Sequence, residues 1–139
     1  MIKDDFSLCM LANVRRAARA VSRRYDREAR KMGMTAAQFS ALTHIREGKG
    51  KTTGELAELG SMDRTTLIRN IALLQKKGLV RVLEADRGNG KVYELTARGE
   101  ALVEEALPFW RKAQADLAEE MGADAFHDTI RQLKVLSKV

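Results

Sequence analysis

Apolar residues recur along this chain in two rhythms. From about Phe6 to Met32 they fall at Leu11, Val14, Ala18, Val21, Tyr25 and Met32, spacings that line one face of a long helix. Arginines crowd the positions between: Arg15, Arg16, Arg19, Arg23, Arg24, Arg27 and Arg30. Gly33 supplies a stop. Thr35 and Gln38 have capping-box spacing and open a second helix with Phe39, Leu42 and Ile45, ending near Gly48. After a Lys49-Gly50-Lys51 turn, Thr52 and Glu55 form another such box. They start a short helix with Leu56, Ala57 and Leu59, stopped by Gly60. Asp63 is a good N-cap, placing Arg64, Thr65 and Thr66 in the first turn of the next helix. Leu67, Ile71 and Leu74 form its buried stripe, and Lys76, Lys77 and Gly78 close it, with cations at the negative end of the dipole.

The rhythm then shortens. Leu79 to Glu84 and Val92 to Leu95 are brief runs rich in Leu and Val, and Asn89-Gly90 between them is a tight-turn signal, because both residues tolerate positive φ. The pattern predicts a β-hairpin whose basic tip carries Arg87 and Lys91. Thr96 caps a long helix to about Met121 with the stripe Leu102, Ala106, Phe109, Ala113 and Leu117. Pro108 is expected to kink it by displacing the carbonyl of Glu104. Gly122 ends it, and Asp124 is expected to cap a last helix with Phe126, Ile130, Leu133 and Leu136 on one side. The class is therefore mainly α with a small β-hairpin.

Length and charge narrow the options. The 139 residues are expected to form one domain, with 45% hydrophobic residues to build a core and a single proline. Net charge is +6, a balance that favours polyanionic partners. Residues 1–34 carry nine Lys/Arg against four Asp/Glu, and 35–99 carry eleven against seven. Residues 100–139 reverse the sign, with five against eight, so phosphate binding belongs to the first two-thirds. One cysteine excludes an intrachain disulfide. No apolar run approaches the roughly 20 residues of a membrane span. The start of the chain lacks a signal-peptide pattern, so the cytoplasm is the expected compartment.

The informative unit is short helix, turn, helix, hairpin. Helix-turn-helix proteins place the N-terminal end of the second helix in the major groove. Here that end carries Arg64, Thr65, Thr66, Arg69 and Asn70. Arginine pairs two-pronged with guanine, asparagine with adenine, and threonine meets phosphate or a thymine methyl. Thr52 and Thr53 lie near the backbone in this arrangement, with Lys76, Lys77 and Arg81 as further phosphate contacts. The hairpin, with Arg87 and Lys91, reaches an adjacent minor groove as a wing.

From Cys9 to about Ala115 the chain resembles MarR-family regulators in one register. The stretches are RRAARAVSRRYD (Arg15–Asp26), GMTAAQFSAL (Gly33–Leu42), TTGELAELGSMDRTTLIRNIALLQKKGLV (Thr52–Val80), YELTARGEAL (Tyr93–Leu102) and ALPFWRKAQA (Ala106–Ala115). The middle stretch is the most diagnostic. The resemblance implies a winged helix-turn-helix over about 35–99 and dimerisation helices over about 6–32 and 100–139. It implies a homodimer on a near-palindromic operator in double-stranded DNA, usually a repressor released by a small molecule or by oxidation. Arg64, Thr65, Thr66 and Arg69 match the family's recognition-helix contacts, and Asp63 its cap. Arg87 matches the wing arginine best, in a loop slightly longer than the family's. Independently, Phe109, Trp110, Leu117, Met121 and Phe126 are more apolar surface than one small winged module buries, which argues for a second copy.

Two triggers are open. The family often binds aromatic carboxylates or phenols between the dimer helices and the winged module. Asn13, Arg16, His44 and Trp110 are the candidate lining for such an aromatic or phenolic effector, although His44 also reads as a hydrogen-bonded, partly buried histidine. Cys9 reads either as a redox sensor, since some MarR-type sensors carry a reactive cysteine in a similar Leu-Cys context, or as a small apolar core residue. Two histidines and one cysteine, widely separated, have no metal-site spacing, and no cofactor is expected. No catalytic motif is present: Glu104-Glu105 and Glu119-Glu120 are adjacent on helices and point apart. The rivals are a winged protein-interaction module, which has no need of Arg64 and Arg69, and nonspecific chromosome coating.

Overall fold

A computed structural model describes residues 3–60, 63–84 and 90–138. The chain runs α1 (Met10–Ala29), α2 (Ala36–Glu47), α3 (Thr53–Leu59), α4 (Arg64–Lys76), β1 (Val80–Glu84), β2 (Lys91–Leu95), α5 (Ala97–Met121) and α6 (Ala123–Ser137). The long first helix is shorter than the apolar spacing predicts. Asp5 caps a single 3-10 turn, Phe6–Leu8, and the chain then becomes extended at Cys9 before α1 starts. At its other end a 3-10 turn, Arg30–Met32, leads to Gly33 at φ +71, a left-handed stop.

Local capping chemistry sets most other boundaries. Both capping boxes form, Thr35 with Gln38 and Thr52 with Glu55, each satisfying amide groups that a helix start leaves without partners. Asp26 of α1 reaches across to accept the Ala36 N–H at 2.7 Å, fixing how α2 leaves α1. The Asp63 side chain accepts the Thr66 N–H at 3.1 Å and starts α4. One predicted cap is displaced. Gly122, at φ +87, turns the chain within a single residue, so α6 begins at Ala123 and Asp124 lies inside its first turn. Helix α5 runs unbroken through Pro108.

The two strands pair antiparallel with Val80 opposite Leu95 and Glu84 opposite Lys91. Lys91 therefore belongs to the ladder and not to the tip where the sequence pattern puts it. Below the hairpin, Thr96 joins three elements. Its N–H donates to the Leu79 carbonyl (3.0 Å), its hydroxyl donates to the Gly78 carbonyl (2.7 Å), and the same oxygen accepts the Gly99 N–H (3.1 Å). The first turn of α5 thus rests directly on the end of α4. Gly99 permits this contact, since a Cβ there would lie 2.1 Å from the Leu79 carbonyl oxygen.

The core lies between α2, α4, the hairpin and α5. Leu42 and Ile45 pack with Leu56, Leu67, Ile71, Leu74, Leu79, Tyr93, Leu95 and Val103. The predicted stripe of α4 is buried as expected, and truncating one such leucine to alanine costs about 2–5 kcal/mol. Val103, absent from the predicted α5 stripe, is buried, whereas Leu59 is exposed because α3 ends there with no further turn to cover it. The predicted stripes of α1 and α6 stay largely uncovered: Leu11, Val14, Val21, Leu133 and Leu136 are exposed, and Phe126 alone is buried in α6. Phe126 is therefore covered within the chain, and the exposed apolar set includes Phe6, Leu8 and Met10 instead.

Candidate nucleic-acid interface

Helix α4 has two sides of opposite character. Leu67, Ile71 and Leu74 face the core, while Arg64, Thr65, Thr66 and Arg69 are exposed and Asn70 is half-buried. The polar group occupies the N-terminal half, where the helix dipole is positive and free N–H groups favour phosphate. The Arg64 guanidinium turns toward the first turn of α3, its Cζ 3.9 Å from where a Cβ on Gly54 would sit. The start of α3 and the start of α4 therefore share one surface. Lys76 is exposed but lies twelve residues on, roughly 18 Å along the axis, so it is separate from the Arg64 end. Arg81 pairs across the hairpin with Glu94 at 3.1 Å.

The two threonines before α3 have unequal roles. Thr52 is half-buried, its hydroxyl accepts the Glu55 N–H, and it bridges to Val92 of β2. Thr53 corrects the expectation from sequence. Its side chain is buried and its hydroxyl shares a 2.7 Å hydrogen bond with the Tyr93 hydroxyl, so it points at the hairpin and not at a phosphate. Together these two residues lock α3 to β2. The alternation along β2, which turns Tyr93 and Leu95 inward, is the one signal in the sequence that hints at this latch. Lys91 is exposed at the start of β2, and Arg87, the expected wing contact, lies outside the described residues.

A second feature is a cavity of about 450 Å³ between α1, α2 and α5. Val21, Tyr25, Phe39, Phe109 and Trp110 give it apolar walls, with Ser22, Ser40, Thr43 and Glu28 as polar groups. Glu28 is buried and is hydrogen-bonded by Lys31 at 2.7 Å, which holds its carboxyl below the ordinary carboxylate range against the effect of burial. Lys112 adds to this from 3.7 Å. The Tyr25 hydroxyl donates to Gln114, and burial pushes its pKa up. Lys31 also sits 5.8 Å from the Phe109 ring centre, within cation–π range.

Of the four expected lining residues, Trp110 lines this cavity, while Asn13, Arg16 and His44 do not. The exposed Asn13 amide donates to the carbonyls of Ser7 and Cys9, both at 2.8 Å, and so closes the start of α1. Arg16 is exposed on α1. His44 follows cavity-lining Thr43, but one residue turns a helix by about 100°, and its ring lies 3.3 Å from where a Gly60 Cβ would sit. Cys9 is half-buried at the N-cap of α1, not in the core. Among the described residues no group of three or more His, Cys, Asp or Glu is placed to hold a metal.

Comparison with known proteins agrees with this geometry. Residues 32–91 match a family described as MarR. The chain is 37% identical to the Mycobacterium tuberculosis transcriptional regulator MosR in a structure with DNA, over 94% of each chain, with a TM-score of 0.81. It shares its fold with BpsR of Bordetella bronchiseptica, at 23% identity over 99% of each chain and a TM-score of 0.86. A 71-residue stretch, 51% of this chain, is 34% identical to the phenylalanine–tRNA ligase alpha subunit of Archaeoglobus fulgidus but spans only 14% of that protein. Identity with MosR over nearly the whole of both chains, together with the match across the winged region, shows that the chain belongs to the MarR family.

Proposed function

We propose that this protein is a sequence-specific transcription regulator that binds duplex DNA through the N-terminal half of α4. The observation that carries this reading is the exposed group Arg64, Thr65, Thr66 and Arg69 on a helix whose other side is buried in the core. A rigid helix whose positive end presents Arg64, Thr65, Thr66 and Arg69, with the exposed Ile68 among them as an apolar contact, suits a major groove. In this reading Thr52, Asn70 and Lys91 add contacts around that end and Lys76 one further along the helix, and Arg87, outside the described residues, is the wing contact. Working as a homodimer, two such helices meet successive turns of a near-palindromic site, about 34 Å apart. MosR, whose structure holds DNA, supports this reading.

The test is Arg64→Ala on an operator selected from a random duplex library, with binding measured at fixed salt. Loss of one two-pronged guanine contact is expected to cost about 1–3 kcal/mol and to relax preference at one base position. Unchanged affinity and unchanged preference would overturn the assignment of this face.

The cavity favours a second level, in which the regulator is a repressor released by a small aromatic or phenolic effector. BpsR, whose DNA binding is regulated by 6-hydroxynicotinic acid, supports this idea. Helix α2 forms a wall of the cavity through Phe39 and Thr43 and contributes Leu42 and Ile45 to the core beneath α4. An occupant between α1 and α5 therefore pushes on the element that α4 rests against. Cys9 supports a redox trigger less well, because Asn13, one turn on, already donates to the backbone carbonyls of Ser7 and Cys9 and not to the thiol.

A further inference from the structure

Helix α1 carries a feature that the winged module does not use. At 100° per residue, Arg15, Arg16, Arg19, Arg23, Arg27 and Arg30 fall within an arc of about 120° on one side of the helix. All six are exposed. None is within ion-pair distance of a carboxylate among the described residues, whereas Arg24, outside the arc, pairs with Glu120 of α5. Asp26, the one acid in the arc, is occupied in holding the Ala36 N–H. The side of α1 that meets the rest of the protein, marked by Val21, Tyr25, Glu28 and Ala29 at the cavity, points roughly 160° away from the arginines.

We propose that this arginine face of α1 is a second, sequence-independent surface for the phosphate backbone of duplex DNA, apart from the α4 end. The inference rests on reading this chain as a DNA-binding regulator and extends the contact beyond the recognition helix. Three observations carry it. First, the charge is unbalanced: Arg15, Arg19, Arg23 and Arg27 stand four residues apart, each repelling the next. Second, the cations are arginine only, with no lysine from residue 4 to residue 30, although lysine serves as well on a merely solvated face. Arginine's planar fork matches phosphate oxygens in pairs. Third, the spacing fits. Six charges spanning about 22 Å of helix stand about 4.5 Å apart on average, and over that length a single strand of duplex DNA presents about six or seven phosphates. A second copy of the chain fits less well, because most acids of α5 and α6 are already paired within the chain, among them Glu100, Glu104, Asp116, Glu120 and Asp128.

The experiment measures affinity for a random-sequence duplex across a salt series, using full-length protein. One variant carries R15Q, R19Q, R23Q and R27Q. A second carries R64Q and R69Q, and a third replaces the same four α1 positions by lysine. Glutamine keeps helix propensity and removes repulsion, so circular dichroism should show the α1 variant folded. Each phosphate that the protein no longer neutralises makes the slope of log K against log salt shallower by about 0.9, so the slope of the α1 glutamine variant, short of four charges, should fall by about 3.6. The α4 variant should lose its own share, the two losses should add, and the lysine variant should keep most of the slope. If only the α4 variant loses slope, the α1 inference falls and the operator reading stands. If only the α1 variant does, the operator reading falls. If the native protein does not bind the random duplex, the α1 inference falls, and the operator reading is decided on the selected operator. An α1 variant that keeps its DNA slope but changes oligomeric state, or loses binding to phosphatidylserine vesicles, also overturns the inference in favour of a second copy or an anionic membrane.

Discussion

Gly99→Ala is a small change with a large expected effect. The added methyl would sit 2.1 Å from the Leu79 carbonyl oxygen, whereas such carbon–oxygen contacts sit at about 3.3–3.6 Å. The gap must open by more than about 1 Å, and the obstacle is backbone, not a side chain that rotates away. Opening it pulls α5 off the end of α4 and strains the Thr96 N–H bond to the same carbonyl, at 3.0 Å, together with the Thr96 hydroxyl bond to Gly78, at 2.7 Å. Overpacking costs about 1–3 kcal/mol and each weakened hydrogen bond about 1, against about 1 gained from alanine's better helix propensity. A net loss of about 2–4 kcal/mol is expected, or a fall of about 1–2 M in the urea midpoint at fixed protein concentration. Ala101→Gly, at an exposed position in the same helix, isolates the propensity contribution and should cost only about 1 kcal/mol. If Gly99→Ala is as stable as the parent, α5 does not rest on α4 in this way.

Two further outcomes follow from single contacts. Thr53→Val removes the partner of the buried Tyr93 hydroxyl and should cost about 1–3 kcal/mol in urea unfolding, with much of it restored when Tyr93→Phe is added. Glu28 has its folded pKa lowered, chiefly by Lys31, so its contribution is present above the unfolded value near 4.3 and is lost as pH falls through the lower folded value. Glu28→Gln should accordingly flatten the stability–pH curve in that acidic window, and an unaltered acid limb in unfolding measured against pH would contradict the pairing.

The parts of the fold legible in the sequence are those decided within one helical turn. Thr35 with Gln38, Thr52 with Glu55, Asp63 and Thr96 all cap where local hydrogen-bond chemistry says they should. The polar end of α4 is legible for the same reason, because the cap fixes which residues fall in the first turn. Contacts set by long-range packing are not. Thr52 and Thr53 are identical in type, and only the approach of β2 decides that Thr53 turns inward. The cavity brings Tyr25, Phe39 and Phe109 together from three helices, and no periodicity along one helix reports where three of them cross. Asp124 loses its capping role to a glycine two residues earlier, whose positive φ makes the corner without side-chain help.

The exposed apolar residues at the start of the chain bear on how it folds at all. Phe6, Leu8, Met10 and Leu11 are between 58% and 80% exposed, and Leu133, Val135 and Leu136 of α6 are also uncovered. Fully burying one such side chain is worth about 1.5–3 kcal/mol, so covering even four of them yields on the order of 6–12 kcal/mol before the cost of association. That is comparable to the whole stability of a typical domain, about 5–15 kcal/mol. If a second copy supplies the cover, as proposed, folding and pairing become one equilibrium. The urea midpoint should then rise with protein concentration, and the same preparation should sediment as a dimer. A midpoint that stays fixed across a hundredfold dilution, with a monomer in the centrifuge, would mean that this surface is not what pairs two recognition helices on one operator.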